Sequence, residues 1–123
     1  MIDTIKEIID DVLKRMEEDI QIPYSEDAAN LIFETGKTES GYRHLEQMGG
    51  GPAVSFFQME EATINSMFKN YISYRPKTVA CLYRLGLGER HMVFCVMTNI
   101  ALAVAFCRLY YWRKPGSIPS DID

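Results

Sequence analysis

Apolar residues recur at helical spacing from the first turn of the chain. Ile2, Ile5, Ile8, Ile9, Val12, Leu13, Met16 and Ile20 form one stripe, while Lys6, Asp10, Lys14 and Glu17 fall off it. That period predicts an amphipathic helix over 2–20 with one buried face. Ile22-Pro23 ends it, because proline lacks the N–H that a helix needs and pushes the residue before it towards extended backbone. A small domain needs such a stripe for its own core, so burial within the chain is favoured over a partner helix. Ser25 followed by Glu26 and Asp27 predicts a second helix start: the hydroxyl caps an orphan amide and the acids meet the positive end of the dipole. This helix is expected to reach about Glu39, with Ala28, Ala29, Ile32, Phe33 and Gly36 facing inward.

Beyond it the punctuation changes. Gly41 and the run Gly49-Gly50-Gly51-Pro52 mark a long turn region where the backbone takes positive φ or approaches something closely. The apolar segment 53–59 is either a short strand or a buried loop. Ala62, Ile64, Met67, Phe68 and Tyr71 predict a third helix from Glu60 to Ile72, closed by Tyr74-Arg75-Pro76. Lys77 to Leu85 reads as a short fourth helix stopped at Gly86-Leu87-Gly88. The last element, Glu89 to about Trp112, is apolar almost all round. A membrane span needs about 20 consecutive apolar residues, and His91, Asn99 and Arg108 interrupt this run. A single helix enclosed by the rest of the domain is therefore expected, with no membrane span. The tail, 115–123, reads as a surface strap. No internal repeat or low-complexity block appears, so the fold expected is one all-α domain over 1–123.

Composition sharpens this picture in three places. The 123 residues are 47% hydrophobic and 24% charged, the balance of a folded domain. The net charge of -4 disfavours nucleic acid, whose phosphates select for a basic field. The three cysteines, Cys81, Cys95 and Cys107, are odd in number and irregularly spaced. They read as reduced core thiols rather than a disulfide framework. His44 and His91 stand apart from them, so no metal site is expected, and no cofactor motif is present. The amino terminus lacks a basic region followed by an apolar stretch, so no signal peptide is expected.

The informative stretch is 35–63, TGKTESGYRHLEQMGGGPAVSFFQMEEAT. Glu39-Ser40-Gly41 falls at a helix end, a glycine-rich loop follows, and Gly51-Pro52-Ala53 leads to Phe57-Gln58-Met59 and the helix start at Ala62-Thr63. This pattern resembles the lysozyme-like superfamily in its lytic transglycosylase and goose-type lysozyme branch, and within it the short phage modules carried among virion or tail genes. The resemblance covers about a quarter of the chain. It implies a lysozyme-like helical domain acting on peptidoglycan glycan strands, made in a bacterial host cytoplasm and carried with other virion or tail subunits. It also implies Glu39 as the catalytic residue, with Ser40, Gln58 and Met59 at the substrate. Phe56-Phe57 and Ser55 depart from the glycine and leucine of the superfamily, and its later Ala-Tyr-Asn-Ala-Gly-like motif is missing. Tyr74, Tyr110 or Tyr111 is left to stand for that tyrosine.

The chemistry of Glu39 can be argued beside the resemblance. Cleaving a glycosidic bond requires a carboxylic acid that protonates a poor leaving oxygen near neutral pH. Burial against apolar groups favours that protonated form, so Glu39 is expected to be sheltered opposite Val54, Phe56 and Phe57. Tyr42, next to the acid in sequence, is a candidate for stacking on a sugar ring. The plainer alternative makes Glu39 a solvated helix-end residue bound to a backbone amide or to Arg43. Glu34 lies about 140° round the helix, so the two acids are not expected to share a cleft. Glu60 and Glu61 read as first-turn acids favoured by the helix dipole. Asn99, an amide inside an apolar run, is expected to tie the core to a loop backbone. Tyr110-Tyr111-Trp112-Arg113 reads as a packing patch or a sugar-stacking one.

Overall fold

The computed structural model describes residues 2–42, 53–54, 56–88 and 91–114. The run Gly49 to Pro52, Arg43, His44 and the tail 115–123 lie outside them. Along the described chain come α1 (Ile2–Ile20), α2 (Glu26–Ser40), β1 (Ala53–Val54), β2 (Met59–Glu60), α3 (Glu61–Asn70), a 3-10 turn (Ile72–Tyr74), α4 (Pro76–Arg84), α5 (Met92–Thr98) and α6 (Ile100–Trp112). The fold is all-α. β1 and β2 form only a small antiparallel ribbon, with Ala53 opposite Glu60 and Val54 opposite Met59.

The stripe on α1 buries Ile5, Ile9, Val12, Leu13 and Met16, and the helix packs against α6, α2 and α4. The turn after α1 is held back onto it. Tyr24 N–H donates to Glu17 Oε2 and its hydroxyl to Asp10 Oδ1, each at 2.9 Å. Ser25 then caps α2 by accepting from Ala28 N–H at 3.0 Å. Gly41, at φ 61°, closes α2 in the left-handed conformation, its N–H returning to Lys37 O. α4 ends in a Schellman turn: Leu87 N–H reaches Leu82 O at 3.0 Å and Gly86 N–H reaches Tyr83 O at 3.1 Å.

The expectation of one long helix from Glu89 to Trp112 is overturned. α5 and α6 meet at a bend of 109°. Asn99 sits between them with extended backbone, φ -117° and ψ 107°. Its side-chain oxygen accepts from Leu102 N–H at 3.0 Å, capping α6, while its Nδ2 donates to Leu85 O at 2.8 Å. Asn99 therefore ties the core to a loop backbone, and in doing so starts a new helix. Gly86, at φ 115°, lies against the same amide, and a Cβ there would collide with Asn99 Nδ2. No single helix among the described residues is long and apolar enough to cross a membrane; α5 and α6 reach that length only as a bent pair.

Enclosure belongs to α6, where Leu102 to Leu109 are all buried. On α5 only Val96 is buried, and Phe94 is exposed. Cys81 and Cys107 are buried thiols, while Cys95 is half-buried. Arg108 is 3% exposed. Its Nη2 donates to Pro23 O at 3.3 Å and its guanidinium stands 5.4 Å from the centre of the Trp112 ring. Desolvation pulls its pKa down from the usual guanidinium value.

Two changes test these features by thermal or urea unfolding. Asn99→Ala removes a cap and a tether together and is expected to destabilise by about 2 kcal/mol. Arg108→Met removes a buried charge that has no carboxylate beside it among the described residues. It is expected to leave stability unchanged or to raise it by about 1 kcal/mol; a large loss would show that the guanidinium holds the α1–α2 turn in place.

Candidate active site

Three parts of the chain meet at one cleft of about 370 Å³. The last two turns of α2 supply Thr35 and Glu39, four residues apart and so on one helix face. The ribbon supplies Gln58, Met59 and Glu60, and the end of α6 supplies Tyr110 and Tyr111. Gln58 adopts φ 50° at the turn between β1 and β2, the left-handed conformation that closes so short a reversal.

A buried knot behind the cleft holds these parts in place. Ser40 Oγ lies within hydrogen-bonding distance of Phe56 O (2.7 Å) and Gly36 O (3.1 Å) and accepts from Tyr42 N–H at 3.0 Å. The Tyr42 ring stacks on Phe33 with centroids 5.3 Å apart and meets Phe56 and Phe57 edge-on at 5.6 and 6.3 Å. Its hydroxyl donates to Phe33 O. Gly36 is where this ring passes over α2, and a Cβ there would collide with it. Burial drives the Tyr42 phenol well above its ordinary pKa.

These contacts correct two expectations. Tyr42 is 3% exposed and belongs to the core, so it offers no face to a sugar. Ser40 is buried and spends its hydroxyl on backbone groups, joining α2 to the ribbon instead of orienting the acid or a ligand. Glu39 itself is exposed at the edge of the cleft. Among the described residues its expected shelter is incomplete: the neighbouring position, Ser40, takes the inward phase of the helix, and the Phe56 and Phe57 rings pack edge-on against Tyr42, although Phe57 also borders the cleft. The side chain of Val54 and the alternative partner Arg43 lie outside the described residues. Gln58 and Met59 do line the cleft with Glu39. Glu34 does not line it, but the separation expected between the two acids is incomplete, since both border a second groove of about 190 Å³ that Thr35 and Tyr111 also line.

The sequence did not point to Thr35, Thr63 or Glu60 as cleft residues, yet all three line it. Glu60 stands at the N-cap of α3 without making a side-chain cap bond. A carboxylate at a helix start looks the same in sequence whether it serves the dipole or a cleft. The three candidate tyrosines differ in where they lie. Tyr74 is 76% exposed on the 3-10 turn, whereas Tyr110 and Tyr111 line the cleft together with Glu39 and Glu60. Lys114 donates to the Tyr110 hydroxyl at 2.8 Å, and Arg113 lies 5.0 Å from the Tyr110 ring centre. The cleft thus carries two acids, Glu39 and Glu60, and two cations, Lys114 and Arg113, stand against Tyr110. Among the described residues no group of three or more His, Cys, Asp or Glu side chains is placed to hold a metal ion.

Set against family models, curated proteins and solved structures, the chain matches none. The functional reading therefore rests on the cleft and its chemistry.

In an exposed helix, Gly→Ala stabilises by about 1 kcal/mol. At Gly36 the sign is expected to reverse, with a net loss of about 1–3 kcal/mol from overpacking, because three aromatic rings and a backbone bond prevent Tyr42 from moving aside. A lower unfolding midpoint with a changed near-UV circular dichroism spectrum would report it.

Proposed function

We propose that this chain cleaves the glycan strands of peptidoglycan at the cleft, as a lysozyme-like domain of lytic transglycosylase type. One observation carries the reading. Glu39 and the Gln58-Met59 pair, the two parts of the motif on which the resemblance rests, lie far apart in sequence and line one sugar-sized opening.

The chemistry asks two tasks of one carboxyl group. Glu39 first donates its proton to the glycosidic oxygen as the C1–O bond breaks. The resulting carboxylate then takes the proton of the same sugar's 6-hydroxyl as that oxygen attacks C1, which gives a 1,6-anhydro product. Holding the hydroxyl next to C1 makes the attack effectively intramolecular. Because Glu39 is exposed, a bound glycan must itself exclude water from the carboxyl, together with Tyr110 and Tyr111 of the same cleft. Gln58 would hold polar groups of the strand and Met59 its apolar faces. Glu60, a second carboxylate on the cleft, offers a route to hydrolysis by activating water.

The same exposure of Glu39 favours a second reading, in which the domain keeps the frame and binds virion or tail subunits without turnover. A fold alone does not choose between the two.

Zymography on purified cell wall distinguishes them. The wild-type chain is expected to clear peptidoglycan, and Glu39→Gln to reduce the rate about 100-fold or more while its far-UV circular dichroism stays unchanged. Products one water lighter than the hydrolytic ones identify the anhydro route. Equal clearing by both proteins, or none by either, would reject the mechanism.

A further inference from the structure

The chain carries a net charge of -4, yet no acidic residue lies between Glu61 and Glu89, a stretch that holds Lys69, Arg75, Lys77 and Arg84. α4 begins inside it. The start of α2 is satisfied by the Ser25 hydroxyl and by Glu26 and Asp27. The start of α4 has no side-chain cap and no acid in its first turn. Pro76 at the first helical position removes one orphan donor. The N–H groups of Lys77 and Thr78 remain, because the first bond of the helix runs from Val79 N–H to Arg75 O. The carboxylate that α1 brings to this helix, Asp19, pairs with Arg84 at the opposite end.

A third donor stands at the same end. Thr78 is 6% exposed, and its hydroxyl has no hydrogen-bond partner among the described residues. No fully buried side-chain oxygen or nitrogen among those residues lacks a partner, so the part of Thr78 that reaches solvent includes its hydroxyl. Cys81 and Leu82, the next residues on that helix face, are completely covered. Helical side chains lean towards the amino terminus, so the hydroxyl opens onto the start of α4, beside the two free amides. Arg75 and Lys77 are exposed on either side of Pro76. The Arg75 guanidinium lies 3.7 Å from the centre of the Tyr71 ring, and its Nη1 donates to Tyr71 O at 2.8 Å. This holds a positive charge near the helix start with the other guanidinium nitrogens uncommitted among the described residues.

We propose that the amino-terminal end of α4 binds a phosphate group, free or as a monoester. A tetrahedral oxyanion has enough oxygens to accept from both amides and the hydroxyl at once. Its charge also draws on two cations and on the positive end of the helix dipole. A carboxylate brings only two oxygens and one charge. α4 lines no part of the cleft, so this site stands independently of the glycan reading.

Amide NMR on the full chain, near neutral pH and at constant ionic strength, tests it with inorganic phosphate, glycerol phosphate and acetate. Both phosphate probes are expected to shift the Lys77 and Thr78 amide resonances saturably, and acetate to bind at least about tenfold more weakly. The tighter of the two phosphate probes assigns the site to the ester or to the free ion. Thr78→Val keeps the side-chain shape without the hydroxyl and is expected to weaken phosphate about fivefold, the worth of one hydrogen bond. Lys77→Glu places an acid in the first turn, as α2 has, and is expected to weaken it at least about tenfold. That second change lies on the surface, so it reads the site even where Thr78→Val disturbs packing. The proposal is overturned by any of three results: neither phosphate probe saturates these amides, acetate binds as tightly as phosphate, or either variant, folded by circular dichroism, binds phosphate as the wild type does.

Discussion

α6 has no polar face to give to water, and the rest of the domain is arranged around that constraint. Eight consecutive residues, Leu102 to Leu109, are buried, and eight residues cover more than two turns and hence every direction round the axis. Each large apolar side chain removed from water contributes about 1.5–3 kcal/mol, so the most favourable packing is the one that wraps this helix completely. α1 and α2 supply much of the wrapping with their buried stripes. The sharp turn at Asn99 makes the wrapping possible, since α5 leaves at 109° and no longer continues the axis of α6.

The cleft is a consequence of how that enclosure ends. After Leu109 the helix emerges, and Tyr110 and Tyr111 are only half-buried. Tyr111 still reaches across to Thr35 on α2, which fixes the distance between the tyrosine wall and the face that carries Glu39. Behind that face, Ser40, Gly36 and Tyr42 lock α2 to the ribbon. The residues nearest Glu39 in sequence therefore serve the scaffold, and those that face it in space come from α6 and from the ribbon. Carboxylates and tyrosine hydroxyls together give the cleft a polar lining.

Local signals were readable wherever a residue answered to its own backbone. The 2–20 stripe, the Ser25 cap and the left-handed Gly41 each depend on near neighbours along the chain, and each appears where the pattern places it. Asn99 was readable as an amide in need of partners. Its partner on the loop is Leu85 O, contributed from 14 residues earlier, and that contact turns a single expected helix into two. Glu39 shows the opposite case. Its shelter was inferred from apolar neighbours, of which the Phe56 and Phe57 rings pack against Tyr42, an arrangement that exists only once Gly36 and Ser40 have brought that side chain inward.

The amino-acid order by itself determined the class of fold and most of the helix limits, because periodic apolar spacing, caps and breakers act within a turn or two of the backbone. Tertiary structure alone decided which groups face one another: Glu60, Tyr110 and Tyr111 around Glu39, Tyr42 withdrawn into the core, Arg108 enclosed beside Pro23. Those pairings are set by how a helix buried on every side is most completely covered, a property of the whole packed chain that no short window of sequence contains.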